Sequence, residues 1–142
     1  MKQLGNGMVK KLIDANVVLR YVLQDDDALF KKASALLERI KVGEEAVVIP
    51  ESVLAECVYV LLKVYKIDRQ IISEKLRGLF AYKGIVNPDK KDLIDSIILF
   101  GQTQLSIVDC IACSKSINTG MSLFTFDDEL KTIYTKKLKS ST

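Results

Sequence analysis

The sequence predicts an α/β fold in which a short, mainly parallel sheet is flanked by helices. Short apolar runs, some of them β-branched, alternate along the chain with longer segments of helical periodicity. This alternation favours parallel pairing, because each crossover between parallel strands is itself a helix. With 142 residues and no repeat or linker, the chain is expected to form one domain, 1–142, with flexible ends at 1–7 and 139–142.

The first half contains two predicted strands and three predicted helices. Residues 8–14 hold the apolar positions of a first strand, and the run 45–49 is a second strand that Pro50 ends. Apolar residues at helical spacing predict helices at 16–23, 30–42 and 51–65. In the third helix the apolar side chains share one face at i, i+4 spacing.

The second half continues the alternation. Asp68 is a favourable N-cap for a helix that extends to about Tyr82, and Gly84 lies just past the end of that helix. The remaining predicted elements are a brief strand at 85–86, helices at 90–104 and 109–118, a strand at 122–125 and a last short helix from Asp127.

Four acidic residues stand in or beside these apolar segments. Asp14 follows the first strand, Glu56 lies near the edge of an apolar helix face, Asp109 interrupts an apolar stretch, and Asp127 follows the 122–125 strand. Each one alone has an ordinary alternative role, either as a strand-end or helix cap or as a solvated side chain. The carboxyl ends of parallel strands border a crevice, so we expect Asp14 and Asp127 to face it.

The chain contains no histidine, which limits the kinds of catalytic and metal-binding site that it can form. Its absence removes the commonest general base, the commonest zinc ligand and the Ser–His and Cys–His nucleophile pairs. Several carboxylates in one crevice repel each other, and a hard divalent cation with a preference for oxygen ligands relieves that repulsion. Two such ions would bind a phosphodiester from both sides, but the sequence leaves open whether one ion or two are used.

Four segments around these acids resemble, in order, the acidic motifs of PIN domains, and especially those of VapC-type toxins of toxin–antitoxin pairs. The segments are 13–21 (IDANVVLRY), 49–56 (IPESVLAE), 107–112 (IVDCIA) and 123–127 (LFTFD). The likeness extends from about Met8 to Leu138. One such motif is weak, but four in order in a chain of this size are specific.

The resemblance implies a three-layer PIN-like fold and an endoribonuclease that binds one or two Mg²⁺ or Mn²⁺ ions and directs water onto an RNA phosphodiester. The matching metal-binding and catalytic acids are Asp14, Glu56, Asp109 and Asp127. Asn16 and Thr125 match polar positions beside the acids, where we expect hydrogen bonds that orient the metal ligands. The resemblance also implies a homodimer and a cognate antitoxin protein that fills the active-site groove.

Two positions depart from the family pattern. Ala15 stands where Thr or Ser is usual, and Cys110 stands where Ala is usual. Neither departure removes an acid, so both bear on specificity and fine positioning.

Other functions remain open. Cys110 and Cys113 form a C-x-x-C, which would suit a redox site, but both fall on an apolar helix face where free cysteine packs as a small hydrophobe. A non-catalytic module that binds RNA or protein, and a solitary RNA-processing nuclease, are the alternatives to a toxin. Aromatic residues such as Phe80, Tyr82 and Phe100 are spaced as core and not as a stacking platform.

Charge and hydropathy indicate the compartment more than the partner. The net charge is +3, and lysines cluster near both ends, where they either attract phosphates or are simply solvated. No apolar run reaches the roughly 20 residues that span a bilayer, and residues 1–11 lack the apolar region of a secretory signal. We therefore expect a cytoplasmic protein with no membrane contact, in which Tyr59 and Tyr65 could face a dimer partner.

Overall fold

The computed structural model describes residues 9–141. Within this range there are two short strands, β1 (Lys11–Leu12) and β2 (Val47–Val48), and seven α-helices. The helices are α1 (Ala15–Leu23), α2 (Asp27–Val42), α3 (Glu51–Tyr59), α4 (Arg69–Phe80), α5 (Lys90–Gln102), α6 (Ile107–Thr119) and α7 (Asp128–Ser140). The predicted α/β class with a short parallel sheet is confirmed. The predicted flexible end at 1–7, Met8 and Thr142 lie outside the described residues.

The two strands pair in parallel, as the helical crossovers between them require. Lys11 lies opposite Val47 and Leu12 opposite Val48. The backbone N–H of Ile13 also donates to the carbonyl of Val48 at 3.3 Å, so the pairing continues to the residue that precedes Asp14. The strand predicted at 8–14 is nevertheless shorter in the structure, because β1 itself spans only Lys11–Leu12.

The predicted brief third strand is present as a single parallel bridge between Val47 and Ile85. Val47 N–H donates to the Gly84 carbonyl at 2.8 Å, and Val86 N–H donates to the Val47 carbonyl at 2.9 Å. A side chain at Gly84 would meet the carbonyl oxygen of Ile40 at 2.6 Å, which explains why a glycine stands there. β2 thus lies at the centre of a very small sheet.

Beyond this bridge, the side chain of Asn87 makes the hydrogen bonds that a neighbouring strand would otherwise make. The amide of buried Asn87 accepts from the backbone N–H of Ile49 at 3.0 Å and donates to the Ile49 carbonyl at 2.7 Å. Ile49 is fully buried, so both of its backbone groups need a partner. Asn87 therefore anchors the end of β2 directly before α3 begins.

The strand predicted at 122–125 is wrong. Residues 122–125 form no strand and make no backbone–backbone hydrogen bond with any of residues 9–141. Leu123 packs against the core, whereas Phe124 and Phe126 are 84% and 89% exposed. The apolar run resembles a buried strand in sequence, but no neighbouring strand is available for it to pair with.

Helix ends follow local capping. The predicted cap Asp68 accepts from the Gln70 N–H at 3.1 Å, and Gly120 ends α6 with a left-handed φ of +79°. α2 begins before the predicted 30–42 range, because Asp26 accepts from the Leu29 N–H at 2.9 Å and caps it. α3 continues into a π-helical segment, Val60–Val64, that ends where Tyr65 N–H donates to the Val60 carbonyl.

The helices bury one continuous core. α1 packs against α2 and α3, α5 packs against α4 and α6, and α6 also contacts α3 and α7. Phe80 and Phe100 are each 1% exposed, which confirms the prediction that they are core residues, and Tyr82 is partly buried. None of the helices in residues 9–141 combines the length and apolar character needed to cross a membrane.

Candidate active site

Asp14 lies between β1 and α1, where the sequence predicted it. It is the N-cap of α1, and its Oδ1 accepts from the Val17 N–H at 3.2 Å. Its other oxygen has no partner among the described residues, and the side chain is exposed at the edge of a shallow cleft of about 360 Å³ that Pro50 and Val53 also line. The cap explains the position of Asp14 but leaves one carboxylate oxygen available to a ligand.

Glu56 lies on α3 and projects into solvent, without a hydrogen bond to the described part of the chain. Its neighbour Cys57 is buried, and its thiol contacts the Ala15 carbonyl at 3.9 Å. Burial, with a smaller contribution from the negative charges of Glu56 and Asp14, raises the pKa of the Cys57 thiol to about 12. The carboxylates of Asp14 and Glu56 therefore act on the same thiol, and the packing of α1 on α3 brings them into one region.

Asp109 lies in the first turn of α6. The predicted start of this helix at 109 is wrong: α6 begins at Ile107, because Ser106 accepts from the Asp109 N–H at 3.1 Å and caps it. Asp109 is therefore not the cap, and its partly buried carboxylate makes no hydrogen bond within residues 9–141. An acid in this position is favoured by the positive end of the helix dipole.

The loop that leads into α6 is fixed by Arg69, which sequence reasoning missed. Its guanidinium donates to the Phe100 carbonyl at 3.0 and 3.2 Å and to the Leu105 carbonyl, and it lies 3.8 Å above the centre of the Phe100 ring. Thr103 ties the same loop through its hydroxyl to the Leu105 N–H at 3.2 Å. The only signal in the sequence was an arginine beside a helix cap, which is too common to single out.

Asp127 is the N-cap of α7, and its Oδ1 accepts from the Leu130 N–H at 2.8 Å. The Thr125 hydroxyl accepts from the Asp127 backbone N–H at 3.0 Å, so Thr125 holds the backbone of this acid and not its carboxylate. Asn16, the other predicted supporting residue, is exposed in the first turn of α1. Its side chain makes no hydrogen bond to any described residue.

The structure gathers these acids only in part. Asp14 and Glu56 share a neighbour, whereas Asp109 and Asp127 lie at the starts of two helices that pack against each other, α6 and α7. No group of three or more Cys, Asp or Glu side chains in residues 9–141 is close enough to hold a metal ion. The available donors are carboxylate oxygens, which suit Mg²⁺ or Mn²⁺ chemically, but the structure does not bring three of them to one point.

The three cysteines are free and buried, which confirms the core interpretation of the C-x-x-C. Cys110 and Cys113 are each 0% exposed on α6, and burial raises the pKa of the Cys110 thiol to about 12. A reactive thiol needs a lowered pKa and solvent access, and these have neither.

Comparison with known proteins gives one match. The sequence profile of the PIN domain matches residues 11–136, which include all four acids and the segments around them. No curated protein and no solved structure matches the chain significantly.

Proposed function

This chain belongs to the PIN domain family, and from that membership we propose that it is an Mg²⁺- or Mn²⁺-dependent endoribonuclease. PIN domains are generally metal-dependent nucleases, and PIN nucleases act on RNA. The proposal for this chain is narrower: the carboxylates of Asp14, Glu56, Asp109 and Asp127 form the site that hydrolyses an RNA phosphodiester.

The observation that carries the proposal is the relation between Asp14 and Glu56. They come from distant parts of the sequence, yet α1 packs on α3, and the Cys57 thiol, next to Glu56, contacts the carbonyl of Ala15, next to Asp14, at 3.9 Å. The Glu56 side chain makes no hydrogen bond with the described residues, and Asp14 uses only one carboxylate oxygen to cap its helix. Both carboxylates are exposed and, within residues 9–141, keep oxygens free for a cation, which prefers oxygen ligands.

The chain's own residues would divide the work. Asp14 and Glu56 would hold the cation, Asp109 and Asp127 would add negative charge from the starts of α6 and α7, and Thr125 fixes the backbone of Asp127. When bound, Mg²⁺ or Mn²⁺ neutralises the carboxylates, activates water and stabilises the leaving oxygen. Substrate phosphates would supply further ligands, since Mg²⁺ is usually bound by one or two carboxylates together with phosphates and water.

The partners are part of the same proposal. We propose a toxin with a cognate antitoxin, a homodimeric state and a cytoplasmic location. An apolar groove of about 340 Å³ between α3 and the start of α6 supports the homodimer, since exposed Tyr59 and Val108 border it. Three free thiols suit a reducing compartment.

The absence of a three-ligand cluster within residues 9–141 favours one alternative, a PIN fold that binds RNA or protein without cutting. A solitary RNA-processing nuclease is the other alternative. A small upstream reading frame beside the gene would favour the toxin, and its absence would favour the processing enzyme.

Metal binding can be tested without knowledge of the RNA. We expect the melting temperature of the wild type to rise with Mn²⁺ or Mg²⁺ concentration, because an ion that binds only the folded state stabilises it. Asp14→Asn should lose this rise while it keeps the helix cap, since Asn caps as well as Asp. Asp26→Asn is the matched control: Asp26 caps α2 in the same way and should leave the response intact.

Cleavage is then measured on mixed transfer and ribosomal RNA with Mn²⁺. The wild type and Asp26→Asn should cut the RNA, and Asp14→Asn should lose at least about 10- to 100-fold in rate, the loss typical even for residues that only orient metal ligands. Binding of RNA without cleavage, and no response of the melting temperature to millimolar metal, would favour the non-catalytic module.

A further inference from the structure

An exposed aromatic pair stands directly before one of the candidate acids. Phe124 and Phe126 are 84% and 89% exposed, and their ring centroids lie 5.3 Å apart with an interplanar angle of 66°. Folding does not account for them, because neither ring is removed from water. Two adjacent phenylalanines at this exposure therefore indicate an occupant that the free chain lacks.

The local backbone holds the pair in this position. Exposure alternates along residues 122–126: Leu123 packs against the core and Thr125 is partly buried, whereas Phe124 and Phe126 are exposed. The Thr125 hydroxyl accepts from the Asp127 N–H at 3.0 Å, and Asp127 caps α7. These bonds fix the backbone that joins the two rings to the candidate acid.

We infer that Phe124 and Phe126 stack with unpaired bases of the RNA strand that the candidate site binds; this inference rests on the proposed function. Base–aromatic stacking needs an exposed ring and no particular base, and a single strand supplies unpaired bases. Asp127, Asp128 and Glu129 form an acidic run immediately after the pair. Without a bound cation this run repels phosphates, so affinity beside it in EDTA has to come from a neutral contact such as stacking.

A protein occupant fits less well. A stable protein interface buries about 800 Å² on each partner around a well-packed apolar centre. Here the two rings belong to one short segment, and the acidic first turn of α7 lies next to them in sequence. This is a small surface, of a size that suits one or two bases.

The test measures binding of two 5′-fluorescein-labelled 12-nucleotide probes by anisotropy in EDTA, so that no cutting occurs. One probe is oligoadenylate and the other has the same backbone with abasic residues. The wild type should bind oligoadenylate more tightly than the abasic strand. Phe124→Ala and Phe126→Ala should each raise the Kd for oligoadenylate by about 5- to 150-fold. Equal binding of the two probes, or binding of neither, overturns the inference.

The controls separate stacking from other effects. Phe124→Tyr and Phe126→Tyr keep a ring and should retain affinity, and Val42→Ala, an exposed apolar residue at the end of α2, should leave it unchanged. The ratio of Kd values between variant and wild type should be the same at low and high salt, because stacking releases no counterions. A ratio that collapses at high salt contradicts stacking.

Two further measurements distinguish a failure of the stacking inference from a failure of the proposed nuclease function. If the alanine variants bind oligoadenylate like the wild type but change the mass found by light scattering, the pair contacts a second copy and the inference is wrong. If the alanine variants lose RNA affinity while the wild type never cleaves RNA, stacking stands and the nuclease proposal fails.

Discussion

At the scale of single residues, Asp14 and Asp127 each use one carboxylate oxygen to cap a helix and leave the other free within residues 9–141. Oδ1 accepts a backbone N–H of its own helix, at 3.2 Å in Asp14 and 2.8 Å in Asp127. The second oxygen has no partner among the described residues. Helix capping and metal binding are therefore compatible at these positions, and the ordinary alternative that capping offered does not exclude the site.

Thr125→Val tests whether the residue beside Asp127 supports it. Valine has nearly the same shape but cannot accept the Asp127 N–H, so we expect a loss of about 1 kcal/mol in the free energy of unfolding. RNA cleavage should fall several-fold, because the backbone that carries Asp127 is less well fixed. Urea unfolding and single-turnover cleavage measure the two effects.

Thr135→Val is the matched control, since Thr135 is exposed on α7 and makes no hydrogen bond through its side chain to the described residues. It should change stability by less than about 0.5 kcal/mol. Identical behaviour of the two variants would show that the Thr125 hydroxyl contributes nothing to Asp127.

At the scale of elements, the start of α6 depends on contacts from outside the helix. Ser106 caps it, and Arg69 on α4 holds the preceding loop through the carbonyls of Phe100 and Leu105. The position of Asp109 therefore depends on α4, which carries none of the four acids. The end of β2 shows the same dependence, because Asn87 satisfies both backbone groups of Ile49.

Arg69→Lys should destabilise the fold by about 1–3 kcal/mol, because a lysine cannot form the planar fork that reaches two carbonyls and covers the Phe100 ring. Cleavage should fall more than stability alone explains, since the loop before Asp109 loosens. Urea unfolding, and cleavage at a temperature where both proteins are folded, give the two quantities.

Arg77→Lys, on the same helix and exposed, is the comparison. We expect it to stay within about 0.5 kcal/mol of the wild type. If Arg69→Lys were equally harmless, the guanidinium contacts would not hold the loop.

At the scale of the whole molecule, three thiols lie in one core built mainly by helix packing. Cys57 on α3 and Cys110 and Cys113 on α6 are each at most 1% exposed. The sheet contributes few hydrogen bonds, so the packing of helices around β2 determines stability. Because the thiols are buried only when this core is packed, their accessibility to reagents indicates whether the core is intact.

Stability should fall at alkaline pH because of this burial. Burial raises the pKa of the Cys113 thiol above its ordinary value of about 9, so below that pH the thiol is neutral in both the folded and unfolded states. As pH rises above 9, the thiol ionises in the unfolded chain first, and the free energy of unfolding falls by up to about 1.4 kcal/mol per pH unit.

Urea unfolding between pH 7 and 10.5 measures the fall. Cys113→Ala should be less stable at pH 7 but should show a shallower decline with pH, since other titrating groups remain. Parallel pH profiles would contradict the assignment. All three thiols of the folded wild type should also resist alkylation at pH 8.

The sequence by itself determined the α/β class and most helices, because hydrophobic periodicity and caps such as Asp68 and Gly120 are local signals. It also determined the family, since four motifs in order span the chain, and the match to residues 11–136 confirms that membership.

Only the tertiary structure decided the details that depend on neighbours. Residues 122–125 carry a strand pattern but find no strand to pair with, so they leave Phe124 and Phe126 in solvent. Asp14 and Glu56 both lie near the Cys57 thiol only because α1 packs on α3. The position of Asp109 depends on the loop that Arg69 holds before α6. Local pattern specifies an element, but pairing, exposure and electrostatic contact depend on which distant residues the fold brings alongside it.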